Sequence, residues 1–250
     1  MAVSVAGSAA AVLLGIRAEH GLEDARGLKS AGDAGAQAHI ASRLAAERPD
    51  DAVLSEEAKD SPARLSASRV WIVDPLDGTR EFSEGRDDWA VHVALWESGD
   101  LTVGAVALGG PDVVLDSASV SPPPARGDGP LRIAVSRSRP PAIVAHVAEQ
   151  LGAELVPMGS AGVKICAVVT GEVDAYVHGG GQFEWDSAAP VAVARAAGLH
   201  TSRLDGSDLV YNRADPYLPD LVVCRPELAG DVMGAIDRAR VAVPDGEGVL

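Results

Sequence analysis

Two carboxylates three residues apart, at the end of an apolar run, are the part of this chain best equipped for chemistry. Val70-Trp71-Ile72-Val73 leads into Asp74-Pro75-Leu76-Asp77-Gly78-Thr79-Arg80-Glu81-Phe82. Four apolar, strand-favouring residues predict a buried strand, and Pro and Gly set the turn that follows. Asp-x-x-Asp-Gly-Thr at that point places hard oxygen ligands at the rim of a sheet. Such ligands suit Mg²⁺, which takes carboxylate, carbonyl and water oxygens in octahedral geometry. The Thr79 hydroxyl, one turn further on, could orient a water. The chemistry this combination supports is metal-assisted hydrolysis of a phosphate ester. Read alone, Pro-x-Asp-Gly is also an ordinary turn after a strand, so the reading depends on other carboxylates able to share the ions.

Two further segments supply them. Ala52-Val53-Leu54-Ser55-Glu56-Glu57 is a second short apolar run that ends in acids. Gln182-Phe183-Glu184-Trp185-Asp186-Ser187-Ala188-Ala189-Pro190 opens an alanine-rich helical pattern running to about Ala197. Each has a plainer reading: Glu56 and Glu57 as a solvated strand end, and Asp186 as a helix N-cap with Pro190 in the first turn.

Taken together, in this order and spacing, the three segments resemble the inositol monophosphatase-like superfamily, which also holds fructose-1,6-bisphosphatases and 3′(2′),5′-bisphosphate nucleotidases. Glu184 before Trp185-Asp186, and Gly159-Ser160-Ala161-Gly162-Val163-Lys164-Ile165-Cys166, are most similar to the nucleotidase branch known as CysQ. The resemblance implies an α/β (α+β) fold, a layered α-β-α-β-α sandwich of the sugar-phosphatase type. It also implies two or three Mg²⁺ ions. One would lie on Glu56, Asp74 and the carbonyl of Leu76, and a second on Asp74, Asp77 and Asp186. Thr79 would position the attacking water, and Gly78 and Thr79 would offer backbone N–H groups to the phosphate.

The chain departs from the family at one place. Many relatives carry an Asp that partners the Thr, a few residues ahead of a second acid. Here Gly27-Leu28-Lys29-Ser30-Ala31-Gly32-Asp33 has only the later one. Asp33 is therefore both the candidate for the dyad with Thr79 and a candidate N-cap for the next helix. For substrate contact the resemblance points to Ser136 and Ser138 in Val135-Ser136-Arg137-Ser138-Arg139, to Ser160, Lys164 and Arg80, and to Glu184 beside a ribose. A surface charge or a capping role is the alternative for each. The substrate implied is 3′-phosphoadenosine 5′-phosphate, losing its 3′-phosphate, with 3′-phosphoadenylyl sulfate as a related substrate and a link to sulfate assimilation. Inositol monophosphate or fructose 1,6-bisphosphate is the alternative. Inhibition by Li⁺ and a homodimer are further expectations of the resemblance.

Composition narrows the classes independently. A chain of 250 residues can bury a sizeable core. A formal charge of −15 argues against binding nucleic-acid polymers or an anionic membrane through a basic surface. It also sets substrate phosphate against site carboxylates, a repulsion that divalent ions remove. Cys166 and Cys224 stand in unrelated contexts without Cys-x-x-Cys, which predicts no disulfide framework and fits a reducing cytoplasm. The six histidines are scattered, with no His-x-x-x-His pair to suggest zinc. Ala2 to Ile16 is apolar but lacks a preceding positive charge and is short for a bilayer span, so it reads as a packed first helix.

The elements that must position these groups follow from periodicity. A first helix is followed by a second from about Ala34 to Glu47, then strands at Ala52–Leu54 and Val70–Val73. Asp88–Trp96 and Leu101–Leu108 read as a hairpin, with a further strand at Val113–Asp116. Ser121 to Pro130, rich in Pro and Gly, is an exposed loop between two lobes of one domain, about 1–120 and 131–250. The second lobe reads as a strand at Leu131–Val135, a helix after Pro141 and a strand at Glu154–Pro157. A helix around Val163–Val169, a strand at Asp174–His178 and the Asp186 helix follow, then short strands and a terminal helix. His178-Gly179-Gly180-Gly181 matches an esterase oxyanion motif, but no Gly-x-Ser-x-Gly accompanies it, and these glycines read as a turn. No P-loop or dinucleotide-binding glycine motif is present.

Overall fold

Every residue of Val70–Val73 and of Ala90–Leu95 is buried, and alternate side chains serve two different cores. The computed structural model describes residues 1–138 and 140–242. Helices α1 (Ala2–His20) and α2 (Ala25–Glu47) precede β1 (Ala52–Ser55), β2 (Arg69–Asp77), a short α3 (Thr79–Ser83), β3 (Ala90–Glu97), β4 (Asp100–Leu108) and β5 (Val114–Asp116). These five strands form one sheet in the order β1-β2-β3-β4-β5, with only the β1–β2 pair parallel. Trp71 and Val73 of β2 join Leu13, Leu28 and Ile40 beneath α1 and α2. Val70 and Ile72 face the other way, into a core with Ile165, Val168, Ala189 and Val193. A strand covered on both faces loses the polar alternation of a half-exposed one, which is why the run reads as continuously apolar.

The second half holds β6 (Arg132–Ser136), α4 (Ala142–Leu151), β7 (Glu154–Met158), α5 (Ala161–Thr170), β8 (Ala175–Phe183), α6 (Glu184–Ala196), β9 (His200–Ser202), β10 (Tyr217–Cys224) and α7 (Ala229–Ala242). Their strands run β7-β6-β8-β10-β9. Helices α5 and α6 lie between the two sheets, and α4 and α7 cover the outer face of the second. The result is the α-β-α-β-α sandwich that the family resemblance implies. Cys166 and Cys224 are both free and buried.

Most expected elements appear within a few residues of their places, and the exceptions are instructive. Helix α2 starts at Ala25 rather than Ala34, because the Asp24 carboxylate accepts the Gly27 N–H at 2.9 Å and caps it there. Asp33 is therefore mid-helix and not an N-cap. Strand β2 runs on through Pro75 to Asp77. Its pairing with β3 is irregular between Asp74 and Asp77, where Pro75 has no N–H to give. His178 to Gly181 is not a turn but part of β8, whose pairing with β10 holds His178 and Gly179 and is bulged at Gly180 and Gly181. Helix α6 opens at Glu184, which puts Pro190 inside it rather than in its first turn. Helix α1 extends to His20, and with 19 residues and an 18-residue stretch of mean hydropathy 1.4 it is long and apolar enough to cross a membrane. It packs one face, including Val5, Ala9 and Leu13, against the first sheet. The β3–β4 hairpin closes on Ser98 and Gly99, both at positive φ, a two-residue loop whose twist matches the strands.

Candidate active site

Strand β1 ends one residue before Glu56, β2 ends on Asp77, and α6 starts two residues before Asp186, so three chain segments deliver acids to one place. Asp74 is at their centre, with 1% of its surface exposed. Its Oδ1 accepts the Leu76 N–H at 3.0 Å, while its buried Oδ2 has no hydrogen-bond partner. The Glu56 carboxyl is one of its close acidic neighbours. Burial first, then the charges of Asp77, Glu56 and Asp186, hold the Asp74 carboxyl well above the usual carboxylate range. Burial and Asp77 push Asp186 up to about 7, and burial raises Glu56. Asp186 also turns one oxygen back to accept the Phe183 N–H at 2.6 Å. An all-oxygen donor set, mutually repelling and with one buried oxygen unserved, fits a hard divalent cation.

Thr79 follows through a turn only glycine can make. Gly78 has φ +89°, and a Cβ there would come within 3.1 Å of Ser160 and 3.2 Å of Trp89. The Thr79 hydroxyl lies 3.1 Å from the Leu76 carbonyl, and it also meets the Asp33 carboxyl in a hydrogen bond. Its single hydrogen can serve either oxygen. Asp33, half-buried on α2, is raised to about 7 by burial and then by Glu57 and Glu56. The two residues paired on sequence grounds are thus brought together, 46 positions apart in numbering.

Asp77 ties the end of β2 to the start of α5. Its Oδ2 accepts from the Ser160 hydroxyl and the Gly162 N–H, each at 2.6 Å, and Oδ1 accepts from Ala161 N–H at 3.2 Å. The carboxylate thereby occupies the N-terminus of α5, where backbone donors and the helix dipole favour negative charge. His92, fully buried on β3, lies with Nε2 3.3 Å from Asp77 Oδ2 but outside hydrogen-bond alignment. Its Nδ1 donates to the Trp185 carbonyl at 3.0 Å. Asp74, Asp77 and His92 offer ligand atoms within 4.8 Å of one another. A Cβ at Gly162 would be 2.0 Å from His92 Nε2, so this approach requires glycine.

The remaining expected residues fall into two groups. Ser160 and Lys164 face inward: Ser160 caps α5 while bonding Asp77, and the Lys164 ammonium donates to the Gly159 carbonyl and lies over the Tyr176 ring. Glu184 accepts the N–H groups of Asn212 and Arg213 at 2.6 and 2.8 Å and so fixes the loop before β10. Arg80 pairs with Glu84 on α3. Ser136 ends β6 half-buried and Ser138 is exposed. Arg137 between them reaches Glu81 and Glu84, both at 2.8 Å, and Arg139 lies outside the described residues. Sequence reasoning overlooked Arg64, buried and bonded to Asn212, Arg213 and Asp60. It also overlooked His92, whose one signal was a polar residue within the apolar run Ala90–Leu95.

The sequence profile of the inositol monophosphatase family matches residues 3–109 and 131–236. A 3′-phosphoadenosine 5′-phosphate phosphatase of Mycobacterium bovis is 54% identical over 234 residues, covering 90% of this chain and 88% of its own. The 3′(2′),5′-bisphosphate nucleotidase CysQ of Salmonella typhimurium is 33% identical, over 76% of this chain and 81% of its own. The crystal structure of CysQ from Bacteroides thetaiotaomicron superposes with a TM-score of 0.77 at 26% identity, covering 90% of this chain and 95% of that one.

Proposed function

The chain belongs to the inositol monophosphatase family, and from that premise we propose a metal-dependent phosphatase that removes the 3′-phosphate of 3′-phosphoadenosine 5′-phosphate. The observation that carries the chemistry is the buried carboxylate cluster around Asp74, with its unserved Oδ2. The 54% identity to a phosphatase named for this nucleotide supports it as substrate over inositol monophosphate or fructose 1,6-bisphosphate.

Glu56, Asp74, Asp77 and Asp186 through carboxylates, and Leu76 through its carbonyl, would hold two or three Mg²⁺. Such ions, when bound, supply charge to phosphoryl oxygens and acidify water. The chain's own groups then orient and accept protons. The Thr79 hydroxyl, held between Leu76 and Asp33, orients the water, and Asp33 is the proton acceptor behind it. The Gly78–Thr79 backbone and the Ser136–Ser138 segment would receive phosphate, whereas Ser160, Lys164 and Glu184 would shape the site from inside. Phosphate release from 3′-phosphoadenosine 5′-phosphate, inositol 1-phosphate and fructose 1,6-bisphosphate, measured side by side with and without Mg²⁺, tests this reading. The expected result is Mg²⁺-dependent release with a strong preference for the nucleotide. Preference for either sugar phosphate would overturn the substrate, and no release from any would overturn the activity.

A further inference from the structure

Of the nine Phe, Trp and Tyr residues, only Phe183 and Tyr217 are exposed, at 42% and 41%, and they are neighbours across β8 and β10. Phe183 stacks on Trp185 with ring centroids 4.8 Å apart and planes 10° from parallel. Tyr217 meets the Phe183 ring nearly edge-on, at 6.0 Å and 78°. One face of Phe183 is thus covered by an indole that packs on the central core, and no other ring among the described residues stacks on the opposite face. The main chain beneath the ring is fixed, because the Phe183 N–H is bonded to Asp186 and Glu184 is anchored to the next loop. A rigid aromatic face with nothing stacked on it, whose backbone holds a carboxylate of the proposed metal site, has few structural reasons to face water. Leaving it there forgoes about 25 cal/mol per Å² of apolar burial.

We propose that the open face of Phe183 is the platform on which the nucleobase of the substrate stacks while its 3′-phosphate is at the carboxylate cluster. This rests on the nucleotidase reading above and adds the residue that would select a nucleotide over a base-free phosphate ester. The connectivity suits it: the phenyl ring belongs to a residue whose backbone N–H is bonded to Asp186, an acid of the cluster. Stacking on an aromatic face is available to every base, so the platform recognises the presence of a base more than its identity. The Tyr217 edge closes one side of it.

The test is the selectivity ratio, kcat/KM for 3′-phosphoadenosine 5′-phosphate over kcat/KM for inositol 1-phosphate, in Phe183→Ala, Phe183→Leu and Phe183→Trp. Loss of one base stack predicts a fall of about tenfold in the alanine variant, mainly through KM for the nucleotide. The leucine variant, apolar but without a π face, should remain low, and the tryptophan variant should recover. Inhibition by adenosine 5′-monophosphate against ribose 5-phosphate gives a binding readout: only the former should weaken in Phe183→Ala. An unchanged ratio in Phe183→Ala, or full recovery by leucine, would overturn the platform. A wild-type enzyme preferring inositol 1-phosphate would remove the nucleotidase premise and the platform with it. That failure shows in the wild type, whereas failure of the platform alone shows only in the variants.

Discussion

Charge without bulk separates metal holding from proton handling at single residues. Asp77→Asn and Asp186→Asn keep side-chain size and remove one ligand charge, so Mg²⁺-dependent phosphate release should vanish in both. Near-wild-type turnover of either variant at limiting Mg²⁺ would refute the ligand assignment. Thr79→Ala and Asp33→Asn should instead lower kcat by roughly 10²–10⁴, the usual weight of a positioned acid–base group, while the Mg²⁺ concentration for half activity stays put. Gly162 tests the close approach to His92. A methyl there collides with His92 Nε2, and overpacking of this kind costs about 1–3 kcal/mol. For a domain of this size that is a Tm lower by roughly 2–12 °C, and the added substitution His92→Ala should recover much of it by making room. The carboxylates were legible in the sequence because Asp74, Leu76, Asp77 and Thr79 share one short segment. Ser160 bonding Asp77 across 83 positions was not, since nothing in either segment's own pattern specifies the partner. His92 carried only the weak signal of a polar residue in an apolar strand.

At the level of elements, the site depends on what fastens the segments that carry it. Glu184 is the clearest case, with a carboxylate buried against the chain and spent on the N–H groups of Asn212 and Arg213. Arg64 bonds Asn212 from the segment following Glu56 and Glu57, so a single buried network joins the β1 end, the α6 start and the loop before β10. Glu184→Ala leaves the buried Asn212 N–H unserved, at about 1–3 kcal/mol, and the part-buried Arg213 N–H with it. Amide exchange at Asn212 and Arg213 should accelerate by at least tenfold, and unchanged protection there would show that the loop is held by other contacts. Strands and most helices were readable because their apolar periods are local. The start of α2 was misjudged because Gly27, Gly32 and Gly35 weaken helix propensity, while burial of Leu28, Gly32 and Ala36 against the first sheet's core overrides it. The glycines of β8 read as a turn for a related reason: the strand pairs with β10, distant in sequence, on both sides of a bulge at Gly180 and Gly181, which take positive φ.

For the whole molecule, the gathered acids make stability depend on cations and on pH together. Asp33 and Asp186 hold their protons up to about pH 7 in the folded chain, and Asp74 is raised well above its ordinary value by burial and its neighbours. An unfolded Asp releases its proton near pH 4. Between these values the folded state binds more protons than the unfolded one, so this contribution is fully present below about pH 4 and is lost as pH rises through about 7. Divalent ions replace those protons, and stabilisation by Mg²⁺ must therefore grow over the same window. At about a hundred times its Kd a single ion adds about 2.7 kcal/mol, or roughly 5–10 °C of Tm for a domain of this size. Thermal melts in Mg²⁺ and in EDTA should differ by that amount near pH 8 and by little near pH 5. Taking the difference cancels titrating groups that lie away from the cluster. Asp74→Asn should abolish the Mg²⁺ increment at either pH, because it removes the one carboxylate on which the other acids converge. A wild-type increment equal at both pH values would mean that the ions bind without displacing protons, and that these carboxylates are not where they bind.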